Sequence, residues 1–203
     1  MPEPKGREQP SPKVKIFGLP LDTPPMEAKA ADELPTKAGE WLFEPKWDGF
    51  RCLAFRQGDT VELRAKSGKP LGRYFPEIVT VLRELKHQAF VVDGELVIET
   101  DGEFSFDALQ MRLHPAESRI RKLSAETPAA LILFDMLVNP SGDRLVDEPL
   151  VERRAALEVF VKAANRPELR LSRGTDDPAV ATRWLGQSGR QGQTSVSGTA
   201  EGV

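Results

Sequence analysis

The chain has little of what several specialised protein classes require. It contains one cysteine and two histidines in 203 residues, so an internal disulfide cannot form and a zinc site is not expected. Cys52 lies in the largely apolar segment Phe50-Arg-Cys-Leu-Ala-Phe and is predicted to be a small buried side chain. No apolar run approaches the roughly eighteen residues of a membrane span, and the N-terminal residues lack the apolar core of a signal peptide. These absences predict a cytoplasmic protein with no membrane partner.

A strong charge imbalance is also missing. The 28 basic and 31 acidic residues give a net charge of −3, which offers no general support for nucleic-acid binding, although a local basic patch is enough to contact phosphates. For each of two basic clusters, a solvated surface is the simpler interpretation. The clusters are Arg64, Lys66, Lys69 and Arg73, and Arg112, Arg119, Arg121 and Lys122.

Hydrophobic residues are frequent enough for one folded domain, at 39% of the chain against 29% charged residues. Residues 1–18 are rich in proline and polar side chains and are predicted to be a disordered lead-in. Residues 186–203 are rich in glycine, serine and glutamine and are predicted to be a flexible tail. The folded domain is therefore expected at 19–185.

Apolar spacing within the domain predicts both strands and helices. No regular alternation of strand and helix is present, so the expected class is α+β, with twisted antiparallel sheets flanked by helices. The predicted strands are 41–46, 50–56, 60–66, 89–100, 129–138 and 168–172. The predicted helices are 28–33, 74–87, 106–114, 116–123, 149–164 and one capped by Asp177.

The predicted strand 89–100 carries two carboxylates in an apolar context. Strand alternation places Asp93 and Glu95 on one face, together with Val97, and Val92 and Leu96 on the other. Buried carboxylates are costly unless they face solvent, a ligand or a metal. A half-exposed edge strand is the alternative interpretation.

Residues 44–51, Glu-Pro-Lys-Trp-Asp-Gly-Phe-Arg, concentrate reactive groups around a turn. A lysine is a nucleophile only as the free amine, which burial or a nearby cation such as Arg51 favours. An extended backbone would place Lys46 and Asp48 on one face, and Gly49 would allow close approach to a phosphate. Lys-x-Asp-Gly alone occurs by chance in roughly one chain in twenty of this size. A solvated lysine beside an Asp-Gly turn is therefore the alternative.

Four segments in order resemble the signature motifs of the adenylation domain of ATP-dependent DNA ligases, notably short bacterial ligases linked to end joining. They are residues 44–51, 63–68, 92–97 and 133–137, and the resemblance covers about 19–185. It implies the covalent nucleotidyltransferase fold, here incomplete, because the family's later lysine motifs and its C-terminal OB-fold domain are not found. The second segment reads Ala65-Lys66 where many relatives carry Ser-Arg.

The resemblance also implies a role for each matching residue. Lys46 would attack the α-phosphate of ATP to form a lysyl-AMP, with Asp48 orienting it and Arg51 near the ribose and the DNA phosphate. Glu44 would recognise adenine and Phe134 would stack on it. The implied catalytic residues are Lys46, Asp48 and Arg51, the implied nucleotide-binding residues are Glu44, Lys46, Arg51, Lys66, Glu95 and Phe134, and the implied Mg²⁺ ligand is Glu95.

The implied function is sealing of 5′-phosphate/3′-hydroxyl nicks in duplex DNA during repair, recombination and end joining. ATP and Mg²⁺ would be the cofactors, and a monomer would act on nicked or broken duplex DNA with DNA-repair proteins as partners. Because the distal lysines that complete the triphosphate pocket are missing, one alternative is a catalytically dead nucleotide- or DNA-binding fragment. Another is an RNA ligase or capping-type nucleotidyltransferase, which shares the covalent lysine chemistry.

Overall fold

A computed structural model of the chain describes residues 15–16, 19–26, 34–35, 41–187 and 196–199. Most of the predicted lead-in and the predicted helix at 28–33 lie outside the described residues. None of the described helices is long and apolar enough to cross a membrane. The strands are β1 (Lys15–Ile16), β2 (Leu19–Pro20), β3 (Leu42–Pro45), β4 (Phe50–Gln57), β5 (Thr60–Ala65), β6 (Ala89–Thr100), β7 (Glu103–Phe104), β8 (Ala129–Val138), β9 (Leu169–Leu171) and β10 (Val196–Thr199), and the helices are α1 (Pro76–Glu84), α2 (Phe106–Arg112), α3 (Glu117–Glu126), α4 (Leu150–Ala164) and α5 (Pro178–Gln187).

The main sheet has the strand order β5-β4-β6-β8-β9, with β7 paired to the far end of β6. The predicted α+β class is confirmed, but the prediction of wholly antiparallel sheets is wrong at one edge. There β9 runs parallel to β8, because α4 lies between them in the chain and serves as a crossover connection. Strand β6 lies inside the sheet, between β4 and β8. The edge-strand interpretation of its carboxylates is therefore wrong.

Two short strand pairs lie outside the main sheet. Strands β1 and β2 form one antiparallel pair. Strand β10 pairs with β3, so that Val196 lies opposite Pro45 and Thr199 opposite Leu42. For these four residues the flexible-tail prediction is corrected, because the open backbone edge of β3 provides partners for their amides and carbonyls. Helix α5 also continues to Gln187, two residues beyond the predicted domain boundary.

The main core lies between one face of the sheet and helices α1, α2 and α4. Alternation along β4 sends Cys52 and Ala54 into this core and Leu53 and Phe55 to a smaller cluster on the opposite face. The prediction that Cys52 is buried is confirmed, since its exposure is 0%. Burial raises the pKa of its thiol. Large side chains that fill the main core include Phe75, Ile78, Leu82, Phe90, Leu157 and Phe160.

In the basic cluster of Arg112, Arg119, Arg121 and Lys122, one member is buried inside the fold and is not on the surface. Arg112, at the end of α2, is fully buried. Its guanidinium donates to both carboxylate oxygens of Glu77 at 2.7 and 2.8 Å and to the carbonyl of Tyr74 at 2.9 Å. Arg112 therefore connects α2 to the start of α1 and does not contribute to a basic surface. The helix predicted at 74–87 is shorter than expected, because a 3₁₀ turn at Gly72–Tyr74 precedes it and α1 begins at Pro76.

Candidate nucleotide-binding site

The Lys46 segment crosses from β3 to β4 without regular secondary structure. Lys46 is exposed, whereas Glu44, two residues earlier in β3, is buried. Gly49 is required here by packing, since a Cβ at this position would lie 2.2 Å from the carbonyl oxygen of Leu96 and 2.8 Å from Cγ of Glu95. The predicted reason for this glycine was approach to a phosphate. In the structure its missing side chain lets the turn lie against β6 and hold Glu95 in place.

A cleft of about 190 Å³ lies beside this turn. It brings together side chains that are far apart in the chain, from Met26 to Ser172, including all six residues predicted to bind the nucleotide. Asp48 is exposed and lies outside the lining. The residues that line the cleft are Met26, Glu44, Pro45, Lys46, Trp47, Arg51, Lys66, Glu95, Phe134, Asp135, Leu150 and Ser172.

Phe134 reaches the cleft because β8 is irregular at this residue. In the pairing with β6, Asp135 lies opposite Asp93 and Leu133 lies opposite Gly94, so Phe134 is the extra residue of a β-bulge. Bulges are frequent beside functional sites because they redirect side chains. Here the bulge allows two consecutive residues, Phe134 and Asp135, to line the same cleft. The half-buried ring of Phe134 thereby presents a flat apolar surface in the cleft.

Arg51 is the most constrained cation of the cleft. Its Nε and one terminal nitrogen donate to the two carboxylate oxygens of Asp93, each at 2.7 Å, and that nitrogen also donates to the carbonyl of Met26 at 2.8 Å. The guanidinium carbon lies 4.2 Å from the centre of the Phe134 ring, a cation–π contact. Burial lowers the pKa of Arg51, but the hydrogen bonds and charge of Asp93 outweigh it and raise the pKa. Arg51 therefore stays charged and fixed.

Burial raises the pKa of four carboxylates at or next to the cleft, Glu44, Asp93, Glu95 and Asp135, and brings the first three to between about 6 and 7. Burial raises the pKa of Glu44 to about 7, although Arg154 and Ser172 act against it. Burial likewise raises the pKa of Asp93 to about 6 and that of Glu95 to about 7, in both cases opposed by Arg51. A hydrogen bond from the backbone of Gly49 further favours the ionised form of Glu95. Glu44, Asp93 and Glu95 therefore change charge close to neutral pH.

Two arginines of α4 belong to the site, and the sequence did not reveal them. Arg153 donates to Asp135 at 2.9 Å and Arg154 donates to Glu44 at 2.8 Å. Both arginines are buried. Two consecutive charged residues in an amphipathic helix are usually exposed. The one sequence signal for their burial was helical spacing, because Arg153 and Arg154 come three and four residues after Leu150, on the helix face that packs on the sheet.

The residues present fit a nucleotide with Mg²⁺. Among the described residues, no group of three or more His, Cys, Asp and Glu side chains could hold a metal ion alone. Mg²⁺ commonly binds through one or two carboxylates together with substrate phosphates. Glu95, half-buried at the cleft and beside Lys46, suits that arrangement. The aromatic face of Phe134 and the cations Lys46, Arg51 and Lys66 suit a base and its phosphates.

Similarity to characterised proteins agrees with this chemistry. A family model described as "ATP dependent DNA ligase domain" matches residues 25–194. The chain belongs to this family. DNA ligase C1 of Mycolicibacterium smegmatis is 45% identical over 174 residues, which are 82% of this chain and 49% of that protein. DNA ligase C of Mycobacterium tuberculosis is 44% identical over 83% of this chain and 48% of its own length. The chain thus spans about half the length of the ligases that it matches.

The ligase fold is shared with solved structures as well. The ligase domain of M. tuberculosis LigD superposes with a TM-score of 0.70 at 26% identity, covering 91% of this chain and 57% of that one. A mycobacterial DNA ligase D complexed with ATP and MES gives a TM-score of 0.64 at 25% identity, over 86% of this chain and 56% of that one. The expected nucleotidyltransferase fold is confirmed by these matches.

Proposed function

We propose that this chain is the adenylation domain of an ATP-dependent DNA ligase and that Lys46 is its covalent nucleophile. The observation that carries the proposal is a single cleft in which an exposed lysine lies beside an aromatic face, a fixed arginine and a half-buried carboxylate. Membership of the ligase family supports the same assignment.

The proposed step is transfer of AMP to the protein. The neutral amine of Lys46 attacks the α-phosphorus of ATP, a phosphorus–nitrogen bond forms, and the bond between the α-phosphorus and the bridging oxygen breaks. The electron pair leaves with pyrophosphate, and the proton of the amine passes to solvent. The product is a lysyl-AMP on Lys46.

The other cleft residues bind and orient the nucleotide in this proposal. Phe134 stacks on the adenine, and the buried carboxylate of Glu44 accepts a hydrogen bond from its amine. Arg51, held by Asp93, lies by the ribose, and Lys66 contributes positive charge at the phosphates. Asp48, exposed beside the lysine, has the role of orienting Lys46 or the hydration of a metal. Glu95 would hold Mg²⁺, which when bound neutralises phosphate charge.

The later steps concern the whole protein. The AMP moves to the 5′-phosphate of a DNA nick, and the 3′-hydroxyl then attacks that phosphate, joining the strand and releasing AMP. We propose nicked or broken duplex DNA as the substrate, DNA-repair proteins as partners, a monomeric enzyme and a cytoplasmic location. Repair, recombination and end joining are the processes that such an activity would serve.

Labelling of Lys46 tests the proposal. Incubation with ATP labelled at the α-phosphate and Mg²⁺ should transfer label to the protein, and Lys46→Ala should abolish it. Lys69→Ala is the matched control, because Lys69 is exposed and lies outside the cleft lining. Label that persists in Lys46→Ala would contradict the assignment.

The same assay addresses the alternatives. A chain that binds ATP but never becomes labelled, even at high concentrations of protein and nucleotide, would be a binding module without catalysis. Transfer from GTP in place of ATP, or joining of nicked RNA in preference to nicked DNA by a complete protein, would favour a capping enzyme or an RNA ligase.

A further inference from the structure

Glu44 is fixed from the side of the protein by α4. Arg154 donates through one terminal nitrogen to Glu44 at 2.8 Å, and both side chains are nearly buried, at 8% exposure for Glu44 and 9% for Arg154. The other terminal nitrogen donates to the carbonyl of Ser172, and Nε donates to Glu158 at 3.2 Å. All three guanidinium nitrogens of Arg154 are therefore hydrogen-bonded. These bonds fix the guanidinium, and the fixed guanidinium in turn orients the carboxylate of Glu44.

Ser172 extends this arrangement to the other side of the lysine. The indole nitrogen of Trp47 donates to the hydroxyl of Ser172 at 3.0 Å. Glu44 and Trp47 flank Lys46 along the chain, so residues before and after Lys46 are anchored to the same point of the fold. Ser172 is 1% exposed, and water therefore does not compete for these bonds.

Arg154 also decides whether Glu44 accepts or donates a hydrogen bond. Burial and the charge of Asp135 raise the pKa of Glu44, whereas Arg154 and the Ser172 hydroxyl lower it. Glu158 faces Arg154 from the same helix, with its carboxylate 3.2 Å from Nε of Arg154. With Arg154 present the pKa of Glu44 is about 7; without Arg154 it would rise further, so the carboxyl would be protonated and act as a donor over more of the neutral pH range. Adenine presents an amine donor where guanine presents a carbonyl acceptor. The protonation state of Glu44 therefore selects between the two bases.

We infer that Arg154 is a positioning residue that orients Glu44 and favours its ionised, hydrogen-bond-accepting form, and thereby sets the preference of the cleft for adenine over guanine nucleotides. The inference rests on the proposed assignment of the cleft to ATP. It adds a residue more than a hundred positions from Lys46 to the specificity of the reaction.

Equilibrium binding of ATP and of GTP, measured by calorimetry on the whole chain, tests the inference. The wild-type chain should prefer ATP by at least about tenfold, since mismatched buried polar groups discriminate strongly. Arg154→Met should bring the ratio close to one, chiefly by weakening ATP binding. In the wild-type chain the ratio should fall as the pH drops below about 7, and in Arg154→Met it should change little over that range. Arg154→Lys keeps the charge without the planar fork and should retain part of the preference. Arg170→Met is the control, because Arg170 of β9 forms an exposed ion pair with Glu99 of β6 and does not line the cleft.

A double-mutant cycle separates positioning from general stability. If Arg154 acts through Glu44, then Glu44→Gln and Arg154→Met together should change the ATP to GTP ratio no more than either change alone. Equal losses of both nucleotides in Arg154→Met, or an unchanged ratio, would overturn the inference. Should Arg154→Met fail to fold, Arg154→Lys and Ser172→Ala provide the same readout, and an unchanged ratio in both would overturn it.

Failure of the proposed function has a different signature. A wild-type chain that prefers ATP in the binding assay but never labels Lys46 would contradict the proposed function and leave the role of Arg154 intact. If Lys46 becomes labelled but the ATP to GTP ratio is unchanged in Arg154→Met, the proposed function is supported and the role of Arg154 is contradicted. A wild-type chain that binds neither nucleotide would contradict both.

Discussion

On the helix-covered face of the main sheet the buried side chains are mostly apolar and contact one another, whereas on the cleft face they include carboxylates paired with arginines. The apolar face is filled by rings and branched chains such as Phe90 and Phe160, whose ring centroids lie 4.8 Å apart. On the cleft face of the sheet these pairs are Asp93 with Arg51 and Asp135 with Arg153, and Glu44 of the adjoining strand β3 pairs with Arg154 at the same cleft.

This difference separates what stabilises the fold from what prepares the site. Burial of apolar surface favours folding directly. A buried ion pair costs desolvation on both partners, so it adds little net stability, yet losing one partner is costly. Helix α4 serves both purposes, because Leu157 and Phe160 pack in the core while Arg153 and Arg154 reach the cleft side. Stability on one face thus holds the charges of the other face in position.

The largest expected effect is on the apolar face. Phe160→Ala should lower the free energy of unfolding by about 3–5 kcal/mol, because it removes a fully buried ring. Urea denaturation measures this loss. Val159→Ala, one residue away and 70% exposed, should change stability by less than about 0.5 kcal/mol. The ratio of ATP to GTP affinity should stay unchanged in Phe160→Ala. A changed ratio would contradict the conclusion that the apolar face stabilises the fold while the cleft face determines nucleotide binding.

The next effect concerns a charge pair beneath the cleft. Arg153→Met should cost about 3 kcal/mol of unfolding free energy, because Asp135 keeps a buried charge without its main partner. Adding Asp135→Asn in the same chain should recover at least half of that loss in urea denaturation. If Arg153→Met alone is as stable as the wild type, the Asp135–Arg153 pair does not contribute to the stability of the fold.

The contrast also explains what could be predicted from the sequence. Alternation along β4 and β6 predicted both strands and their faces, because burial of apolar side chains follows a period of two. It placed Asp93 and Glu95 on one face, and both now contact or neighbour Arg51. The parallel pairing of β9 with β8 was missed, since three residues are too few to carry a directional pattern.

Two features of the cleft had no local signal. Period-two reasoning places Phe134 and Asp135 on opposite faces, and the bulge that brings both to the cleft depends on register with β6. The pairing of Arg154 with Glu44 joins residues 110 positions apart. Such long-range charge pairs arise only once the apolar core has fixed α4 against the sheet. The roles of the cleft residues remain predictions that the following experiments address.

Phe134→Ala should reverse the pattern expected for Phe160. Loss of stacking should weaken ATP binding by about 1–3 kcal/mol, or roughly fivefold to 150-fold. The unfolding free energy should fall by less than about 1 kcal/mol, because the ring is only half-buried. Phe134→Tyr keeps the flat ring and should bind ATP nearly as the wild type does. Calorimetry and urea denaturation together decide the outcome, and unchanged ATP affinity in Phe134→Ala would exclude stacking at this residue.

The smallest expected effect is a pH dependence confined to the cleft face. Burial raises the pKa of Glu44 from 4.5 to about 7, so between these values the folded chain holds a proton that the unfolded chain has lost. The stability contributed by this group is therefore full below pH 4.5 and is lost as the pH rises through about 7. Relative to Glu44→Gln, the wild type should lose about 1 kcal/mol of unfolding free energy between about pH 6 and 7. Phe160→Leu, a change in the apolar core, should keep the wild-type slope. If Phe160→Leu reduces the pH dependence of the unfolding free energy as much as Glu44→Gln does, the titrating group is not Glu44.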